Sequence, residues 1–421
     1  MRHRAFAYPA TLLTLFIMAL LTLHLLRLYS TTMEVDNSWR ELDQASLNCA
    51  SAVNHFLRVQ KGFNPAPEIL SLQFEEGNGF EYRTLPLGVF WLMDIRGFCE
   101  KQQVQIRQIV GGATTSQPLL HLGHPMKDVF LAPDASIAGN VAFDSATNIN
   151  LIPGHDLVNQ SELKPLAKAS YRGLASHLEA PFTEEWLDKL KIFFPELKVR
   201  QGSFGVNLNT LNDKASLILV RGDNIQISGQ YRNRTPLIIL AEDTVEASNA
   251  VDLNRCWIIA RKSFRSNISL SGSNAHILSP RIEVLGEVSM VNSTLTAIPW
   301  PGVTQTGGSI KLSGKGSFSG ALTALFPDPN VDPLWINKGF AAIAKERHID
   351  SQGYVFCDGH LSMRGNHSGP IRAKVWKYQD RQASFPGRLS DLVLTPSAER
   401  GSSLWGIQNQ MGSTAYTWEA R

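Results

Sequence analysis

Five side chains that can bind metals or act as nucleophiles lie within thirteen residues: His348, Asp350, Cys357, Asp358 and His360. Four groups of these types are enough to complete a tetrahedral zinc site. Their spacing, however, matches none of the recognised zinc-ligand pairs. An internal repeat also explains part of the cluster, because its Cys-Asp-Gly-His run occupies a turn of that repeat. We therefore predict no metal site, no cofactor and no catalytic residue here.

Acidic residues offer a second kind of chemistry. Asp223 and Asp243 occupy the same position in neighbouring repeats, and Glu242 precedes the second of them. Stacked strands lie about 4.8 Å apart, so the two aspartates would shift each other's pKa. Enzymes that cleave polysaccharides use such paired carboxylates. Aspartate is also a common turn residue, and the next repeat has Ser263 at this position, so the pattern favours a turn.

Two further patterns are less specific. The run from Gly314 to Gly320 has the glycines of a phosphate loop but lacks the Gly-Lys-Ser/Thr ending, so it predicts a turn. Tryptophans can stack on sugars. We expect Trp257 to be buried, because it lies in a solid apolar run, and Trp300 to be exposed, because it lies between two prolines. The other tryptophans considered for stacking are Trp376, Trp405 and Trp418.

The elements that position these residues follow from a repeat. A pattern of apolar-x-apolar-x-Gly predicts a short strand followed by a turn. Solid apolar runs lie between the copies, and their centres advance by about 20 residues, which is typical of stacked repeats. The run centres are Ile218, Ile238, Ile258 and Ile277, and the copies are Ile225–Gly229, Ile268–Gly272, Ile282–Gly286, Ile310–Gly314 and Leu361–Gly365.

Stacked strands of this kind bury one continuous core. The fold class predicted is therefore mainly β, with an N-terminal transmembrane and amphipathic helix, an α+β region and an irregular right-handed β-helix. Ile238 and Ile258 should lie in adjacent layers and share one layer of the core, whereas Arg261 should face solvent near a corner.

Four parts of the chain are expected. Residues 1–60 form the membrane anchor and amphipathic helix, and residues 61–203 form a mixed α+β region. Residues 204–380 form the β-helix, with a helical insertion near 325–349. Residues 381–421 lack the repeat and have no assigned structure.

Several local patterns refine this division. The run Phe90–Met93 is expected to form either a buried strand or a short helix. Residues 135–152 are interpreted as an early, irregular part of the coil. Residues 160–200 look helical from Ser161 onward, with Thr183 as a helix cap. Residues 298–302 contain two prolines and predict a surface excursion.

The N-terminal segment is long enough to cross a membrane. From Ala5 to Leu26 there is no Asp, Glu, Lys or Arg, and about 20 apolar residues suffice to span a bilayer. The bias of Lys and Arg favours a cytoplasmic N-terminus, with the bulk of the chain extracytoplasmic. An amphipathic pattern continues to Leu57 without proline or glycine, so one helix of about 80 Å is expected. A cleaved secretory signal is the alternative.

This N-terminal arrangement resembles the helical spine of type IV pilin-like proteins, in particular the minor-pilin group. The resemblance rests on an apolar segment that runs directly into an amphipathic helix through the seam Ser30-Thr31-Thr32-Met33-Glu34. It covers about the first 60 residues. It implies a role in a pilus or surface assembly.

The composition limits the partners and the classes of function that we expect. Charged residues make up 18% of the chain and the formal net charge is +3; without a basic patch, nucleic acid is not an expected partner. Expected partners are the membrane, other pilus or surface proteins, or polysaccharide. We expect a structural or adhesive protein, with a carbohydrate-active enzyme on a β-helix as the alternative. The sequence leaves two alternatives for Cys49, Cys99, Cys256 and Cys357. They form two disulfides in any of three pairings, or they are four independent buried thiols.

Overall fold

The chain is described by a computed structural model and is mainly β, with one long apolar helix at its N-terminus. This confirms the broad fold class expected from the sequence. The described residues are 7–59, 69–112, 119–123, 128–143, 148–151, 160–162, 174–202, 205–211, 214–300, 307–325, 341–379, 384–396 and 413–419.

The helices are α1 (Ala7–Val59), α2 (Leu174–Glu179) and α3 (Glu184–Phe193), with 3₁₀ helices η1 (Ala180–Phe182) and η2 (Leu208–Thr210). The first fifteen strands are β1 (Ile69–Glu75), β2 (Asn78–Leu87), β3 (Phe90–Cys99), β4 (Gln102–Gly112), β5 (Leu120–Leu122), β6 (Asp128–Leu131), β7 (Ala135–Ile137), β8 (Val141–Phe143), β9 (Asn148–Leu151), β10 (Gln160–Glu162), β11 (Leu197–Gln201), β12 (Val206–Asn207), β13 (Leu217–Tyr231), β14 (Leu237–Asn254) and β15 (Cys256–Ala260). The remaining strands are β16 (Ser263–Ser266), β17 (Ser269–Ser273), β18 (His276–Ser279), β19 (Arg281–Val284), β20 (Glu287–Ala297), β21 (Ser309–Leu312), β22 (Gly316–Ala324), β23 (Ala342–Lys345), β24 (Ile349–Met363), β25 (Gly365–Ser368), β26 (Ile371–Gln379), β27 (Ser384–Pro386), β28 (Arg388–Leu389), β29 (Leu392–Thr395) and β30 (Ser413–Glu419).

Helix α1 is uninterrupted over 53 residues, which corresponds to about 80 Å. This confirms the single continuous helix expected from the sequence. Its second half packs on a sheet through small and apolar residues spaced three or four apart, so that they lie on one face. The buried members of that face are Ala45, Cys49, Ala52 and Phe56.

The sheet beneath α1 is antiparallel, in the order β1-β2-β3-β4-β30. Its side chains alternate: Phe80 and Met93 face the helix, while Leu85 and Leu92 face the opposite side. The run Phe90–Met93 is thus a strand rather than a helix. At Gly97 a Cβ would collide with the backbone oxygen of Ala45, so only glycine lets the helix approach this closely.

From β13 onward the chain makes repeated passes whose strands pair in parallel with those of the next pass. We call each pass a layer and each set of paired segments a column. The first column contains residues 217–221, 237–241, 256–260, 276–279, 294–297, 320–324, 354–357 and 371–373; the second contains 224–227, 244–247, 263–266, 281–284, 309–312, 342–345 and 360–363; the third contains 229–231, 251–254, 269–273, 287–291, 316–318, 349–351, 366–368 and 392–395.

Adjacent layers hold Ile238 and Ile258, as expected, but these two side chains do not share a core layer. The register pairs Ile239 with Ile258 and Ile238 with Trp257. Ile258 faces the interior of the stack, and Ile238 faces outward. The expectation was wrong because these strands repeat every 19 residues, and a shift of one residue reverses the face of a strand.

The solid apolar runs arise because the first column is buried on both faces. Ile239 and Ile258 fill the interior, whereas Leu240, Trp257 and Ile259 pack against β2, β3 and the helices α2 and α3. Strands covered on both sides lose the alternation of polar and apolar residues. The Nε1 of Trp186 in α3 donates to the carbonyl oxygen of Pro86 at 2.6 Å, which ties the helix to this sheet.

Strands β5, β7 and β8 join the stack at its far end, after the residues of β26 and β29. Strand β5 pairs with β26, β7 with β29 and β8 with β5, all in parallel. The hydroxyl of Ser390 donates to the carboxylate of Asp134 at 2.9 Å across this junction. Strands β7 and β8 of the 135–152 region therefore belong to the stack. They lie at its far end, next to β29 and β5, and not at its beginning before residue 204, as the sequence order suggested.

Three local expectations were wrong. Ser161 lies in strand β10, paired with β8, instead of beginning a helix. Residues 342–345 form strand β23 of the second column where a helical insertion was expected, and residues 326–340 lie outside the described residues. Trp300 is fully buried, with its ring 5.8 Å from that of Phe182. In contrast, Thr183 does cap α3, since its hydroxyl accepts from the backbone N–H of Trp186.

Candidate functional site

The five residues that suggested a metal site do not converge. Cys357 faces the interior of the stack, whereas Asp358 forms an ion pair with Lys374 on the outer surface of the first column. His348 and Asp350 are exposed near the turn into the third column. Among the described residues no group of three His, Cys, Asp or Glu side chains is arranged to hold a metal ion.

The carboxylates at the first corner are used to connect layers. A register shift between Gly222 and Asn224 places Glu242 and Asp243 together opposite Asp223. Each of these two carboxylates forms an ion pair with a cation of the following layer, Glu242 with Arg261 and Asp243 with Lys262.

Arg261 organises this corner. Its guanidinium lies 2.9 Å from the Glu242 carboxylate, 2.5 Å from that of Glu179 and 4.2 Å from the ring centroid of Phe182. Lys262 pairs with Asp243 at 2.6 Å. Arg261 therefore attaches the helical segment of α2 and η1 to the stack. The expectation that its side chain faces solvent was wrong.

Along the outer face of the first column the residue types change from layer to layer. The early layers carry Leu240 and Ile259, the middle ones carry Thr296 and Thr323, and the register then continues through Phe356 and Arg372 to His121. The row from Thr296 to His121 is what we call the outer polar row. The hydroxyls of Thr296 and Thr323 are buried without a hydrogen-bond partner.

Charge is concentrated at the end of this row. Lys374 and Asp358 lie 2.7 Å apart, and both are largely buried. Burial, followed by the charge of Arg372, lowers the pKa of His121 to about 4, so this imidazole is neutral at pH 7. Burial lowers the pKa of Arg372, while Tyr354 and Asp358 oppose that shift. Among these groups one carboxylate, that of Asp358, interacts with two cations, Lys374 and Arg372.

Sequence reasoning identified Asp358 but missed Arg372, Lys374 and His121. His121 reaches this face only because strand β5 pairs with β26 at the far end of the stack. A signal was nevertheless present in the sequence: the solid apolar run of the first column gives way to alternation in residues 294–297 and 321–324, which indicates that the outer face changes its surroundings there.

None of the four cysteines, all of which lie in the described part of the chain, forms a disulfide. The structure therefore has four independent thiols, one of the two arrangements left open by the sequence. Burial raises the pKa of Cys49 to about 11 and that of Cys357 to about 12, and it raises the pKa of Cys256 as well. A buried thiol with a raised pKa is a poor nucleophile.

The most distinctive surface is the exposed apolar half of α1. Its large apolar side chains, from Leu12 to Leu28, are each about half exposed or more. Within the described residues, α1 is the single helix long and apolar enough to cross a membrane, a test that a signal sequence also passes. The chain matches no known protein family, no curated protein and no solved structure.

Proposed function

We propose that this protein is a membrane-anchored, extracytoplasmic structural or adhesive component that presents a right-handed β-helix on a rigid helical stem. The observation that carries the proposal is that α1 has an exposed apolar half and a half that is buried against a sheet. One uninterrupted helix exposes apolar side chains from Leu12 to Leu28 and buries Ala45 to Phe56 against the antiparallel sheet.

Lipid is the environment that suits the first half of α1. Burying a leucine side chain fully is worth roughly 1.5–3 kcal/mol of apolar transfer free energy, and this stretch exposes much of many such side chains. A helix also satisfies its own backbone hydrogen bonds within a bilayer. The second half is fixed by the sheet: the buried side chain of Asn48 donates to Asn78 Oδ1 at 2.6 Å and to the Phe98 carbonyl at 2.9 Å.

The stack supports a presenting role. The third column turns a row of short polar side chains outward, and in register these are Ser271, Ser289, Ser317, Asp350 and Asn366. Parallel layers with a shared core and about 4.8 Å spacing are the architecture of a β-helix. A rigid column with repetitive polar faces suits a binding or scaffold surface for surface proteins or polysaccharide.

A pilin-like assembly role fits the same helix. The seam Ser30–Glu34 lies within α1 without a break, and residues 29–37 are exposed. At Ser38 the helix is bonded to the sheet, since its hydroxyl accepts from Gln102 Nε2 at 2.9 Å. A stem of this kind can pack beside stems of neighbouring subunits. The carbohydrate-active enzyme is the weaker proposal, because Glu242 and Asp243 are engaged by Arg261 and Lys262.

The anchor is tested by a matched pair of substitutions on one helix. Leu20→Arg places a charge in the proposed lipid segment, whereas Leu47→Arg places it at a comparably exposed position beyond it. A charge at the centre of a membrane helix costs about 2.5–3.5 kcal/mol on insertion scales. We expect Leu20→Arg to release protein from membranes during carbonate extraction, and Leu47→Arg to remain bound.

The same fractions distinguish an anchor from a signal. N-terminal sequencing of the mature protein should show that residues 12–28 are retained. Recovery of a soluble chain that begins after Leu28 would overturn the anchor, and equal extraction of the two arginine variants would show that the first half is not in lipid.

A further inference from the structure

A charged side chain points into the largely apolar interior of the stack. Lys345 lies in the second column between Leu312 and Met363, both of which face inward. It is 2% exposed. An unpaired ammonium in such a position would cost many kcal/mol, so its surroundings must compensate the charge.

Three backbone carbonyl oxygens provide that compensation. The Nζ of Lys345 donates to the carbonyl of Ile349 at 2.5 Å, of Arg364 at 2.7 Å and of Asn366 at 3.3 Å. Since an ammonium has three N–H donors, these bonds can use all of them. Ile349 belongs to the layer of Lys345 and the other two to the following layer, so the ammonium joins two layers.

Two buried polar side chains at this corner, Ser351 and His367, are neutral. The hydroxyl of Ser351 donates to the carbonyl of Asn366 at 3.3 Å and lies 2.8 Å from His367 Nδ1. Burial, and next the charge of Lys345, lowers the pKa of His367 to about 3. Burial lowers the pKa of Lys345 to about 8, while Asp350 and Asp391 oppose the shift, so the amine is protonated at neutral pH. The ammonium of Lys345 is therefore the buried charge at this corner, and Asp350 and Asp391 are the anions that act on it.

We propose that the carbonyl oxygens of Ile349, Arg364 and Asn366 form a monovalent-cation site inside the stack, which Lys345 fills with its own ammonium group. Rings of backbone carbonyl oxygens are the ligands that replace the hydration shell of potassium ions. The tethered ammonium takes the place of a dissolved ion. The joint between the two layers is thereby independent of the ionic composition of the medium.

The test removes the tethered cation and supplies a free one. Lys345→Ala opens space and leaves the three carbonyls, whereas Lys345→Met fills the space without a charge. Thermal unfolding of the full chain in detergent is followed in KCl, NH4Cl, methylammonium chloride and, at the same ionic strength, choline chloride. We expect the midpoint of Lys345→Ala to fall in choline and to rise saturably with one of the three small cations. Wild type and Lys345→Met should show no such selectivity.

Two results would overturn the proposal. One is an equal response of Lys345→Ala to all four salts. The other is a Lys345→Met variant as stable as wild type, since the aliphatic stem rather than the ammonium would then hold the corner. If Lys345→Ala does not accumulate folded, it is refolded from denaturant in KCl, NH4Cl, methylammonium and choline. A higher folded yield with a small cation supports the site, and equal yields refute it.

Discussion

The layers formed by residues 217–300 and those formed by residues 341–395 share one parallel register but fill it differently. In the first region the interior is mainly apolar, with Ile239 and Ile258 in register, and the neutral Ser266 is buried there as well. In the second region the interior also contains Lys345 and His367. Both regions keep the parallel register, so the backbone pairing tolerates polar side chains in the interior.

The outer faces of the two regions differ for another reason. Leu219 and Ile238 are covered by the antiparallel sheet and helices, whereas Arg372 and Lys374 belong to a charged cluster in the later layers. The inward rows keep the layers together, and the outward rows reflect what lies against each part of the stack. A repeat thus specifies its interior far more strictly than its exterior.

The largest effect is expected from a charge in the apolar region. Ile258→Asp would bury a carboxylate among Ile239 and Ile277 with no partner, and we expect a loss of at least about 4 kcal/mol in the free energy of unfolding. Denaturant unfolding of the purified chain measures it. The matched control is Val291→Asp, because Val291 lies in the stack but is half exposed.

The control should lose less than about 1 kcal/mol. If both aspartate variants are equally tolerated, the interior position of Ile258 is incorrect and the comparison between the two regions loses its basis.

Acid should destabilise both regions through buried neutral histidines. Burial lowers the pKa of His276 and of His367 to about 3, against about 6.5 in the unfolded chain. The unfolded chain therefore binds more protons, and stability that is complete above pH 6.5 is lost as the pH falls toward 3. We expect the unfolding free energy to drop by a few kcal/mol between pH 7 and pH 4.

A single substitution assigns part of that drop to the second region. His367→Leu should flatten the pH dependence, because its register partner Leu394 shows that leucine fits this row. A pH profile that is unchanged in His367→Leu would mean that this imidazole is not buried in its neutral form.

A smaller effect is expected at the corner that holds the helical segment. Arg261→Ala removes the contacts with Glu179, Glu242 and the Phe182 ring, and partly exposed interactions of this kind are worth about 1 kcal/mol together. Arg265→Ala, whose ion pair with Glu283 is long and exposed, should cost close to nothing. Thermal unfolding resolves the two, and equal losses would contradict the corner's role.

The sequence was sufficient for the features that depend on local periodicity. The continuous helix α1, the cap at Thr183 and the stacking of adjacent layers were all predictable, because each follows from spacing within about 20 residues. The register error at Ile238 shows the limit. A run of four apolar residues carries no alternation, so it does not reveal which side chain faces the interior.

Features that depend on distant pairing were not predictable. Trp300 was expected outside because of its flanking prolines, yet it is buried near Phe182. The outer polar row needs strand β5 to pair with β26, and β7 with β29, and no pattern in the local sequence indicates these contacts. The burial of Lys345 was not predictable for the same reason, since the carbonyl oxygens that accept from its ammonium belong to two layers.

The central claim is that one helix serves as both lipid anchor and part of the folded core, and amide hydrogen exchange of the full chain in lipid nanodiscs tests it most directly. Two protected stretches are predicted, residues 12–28 in lipid and residues 45–56 against the sheet, with faster exchange between them at residues 29–37. Rapid exchange across residues 12–28 in nanodiscs, with residues 45–56 still protected, would contradict the anchor.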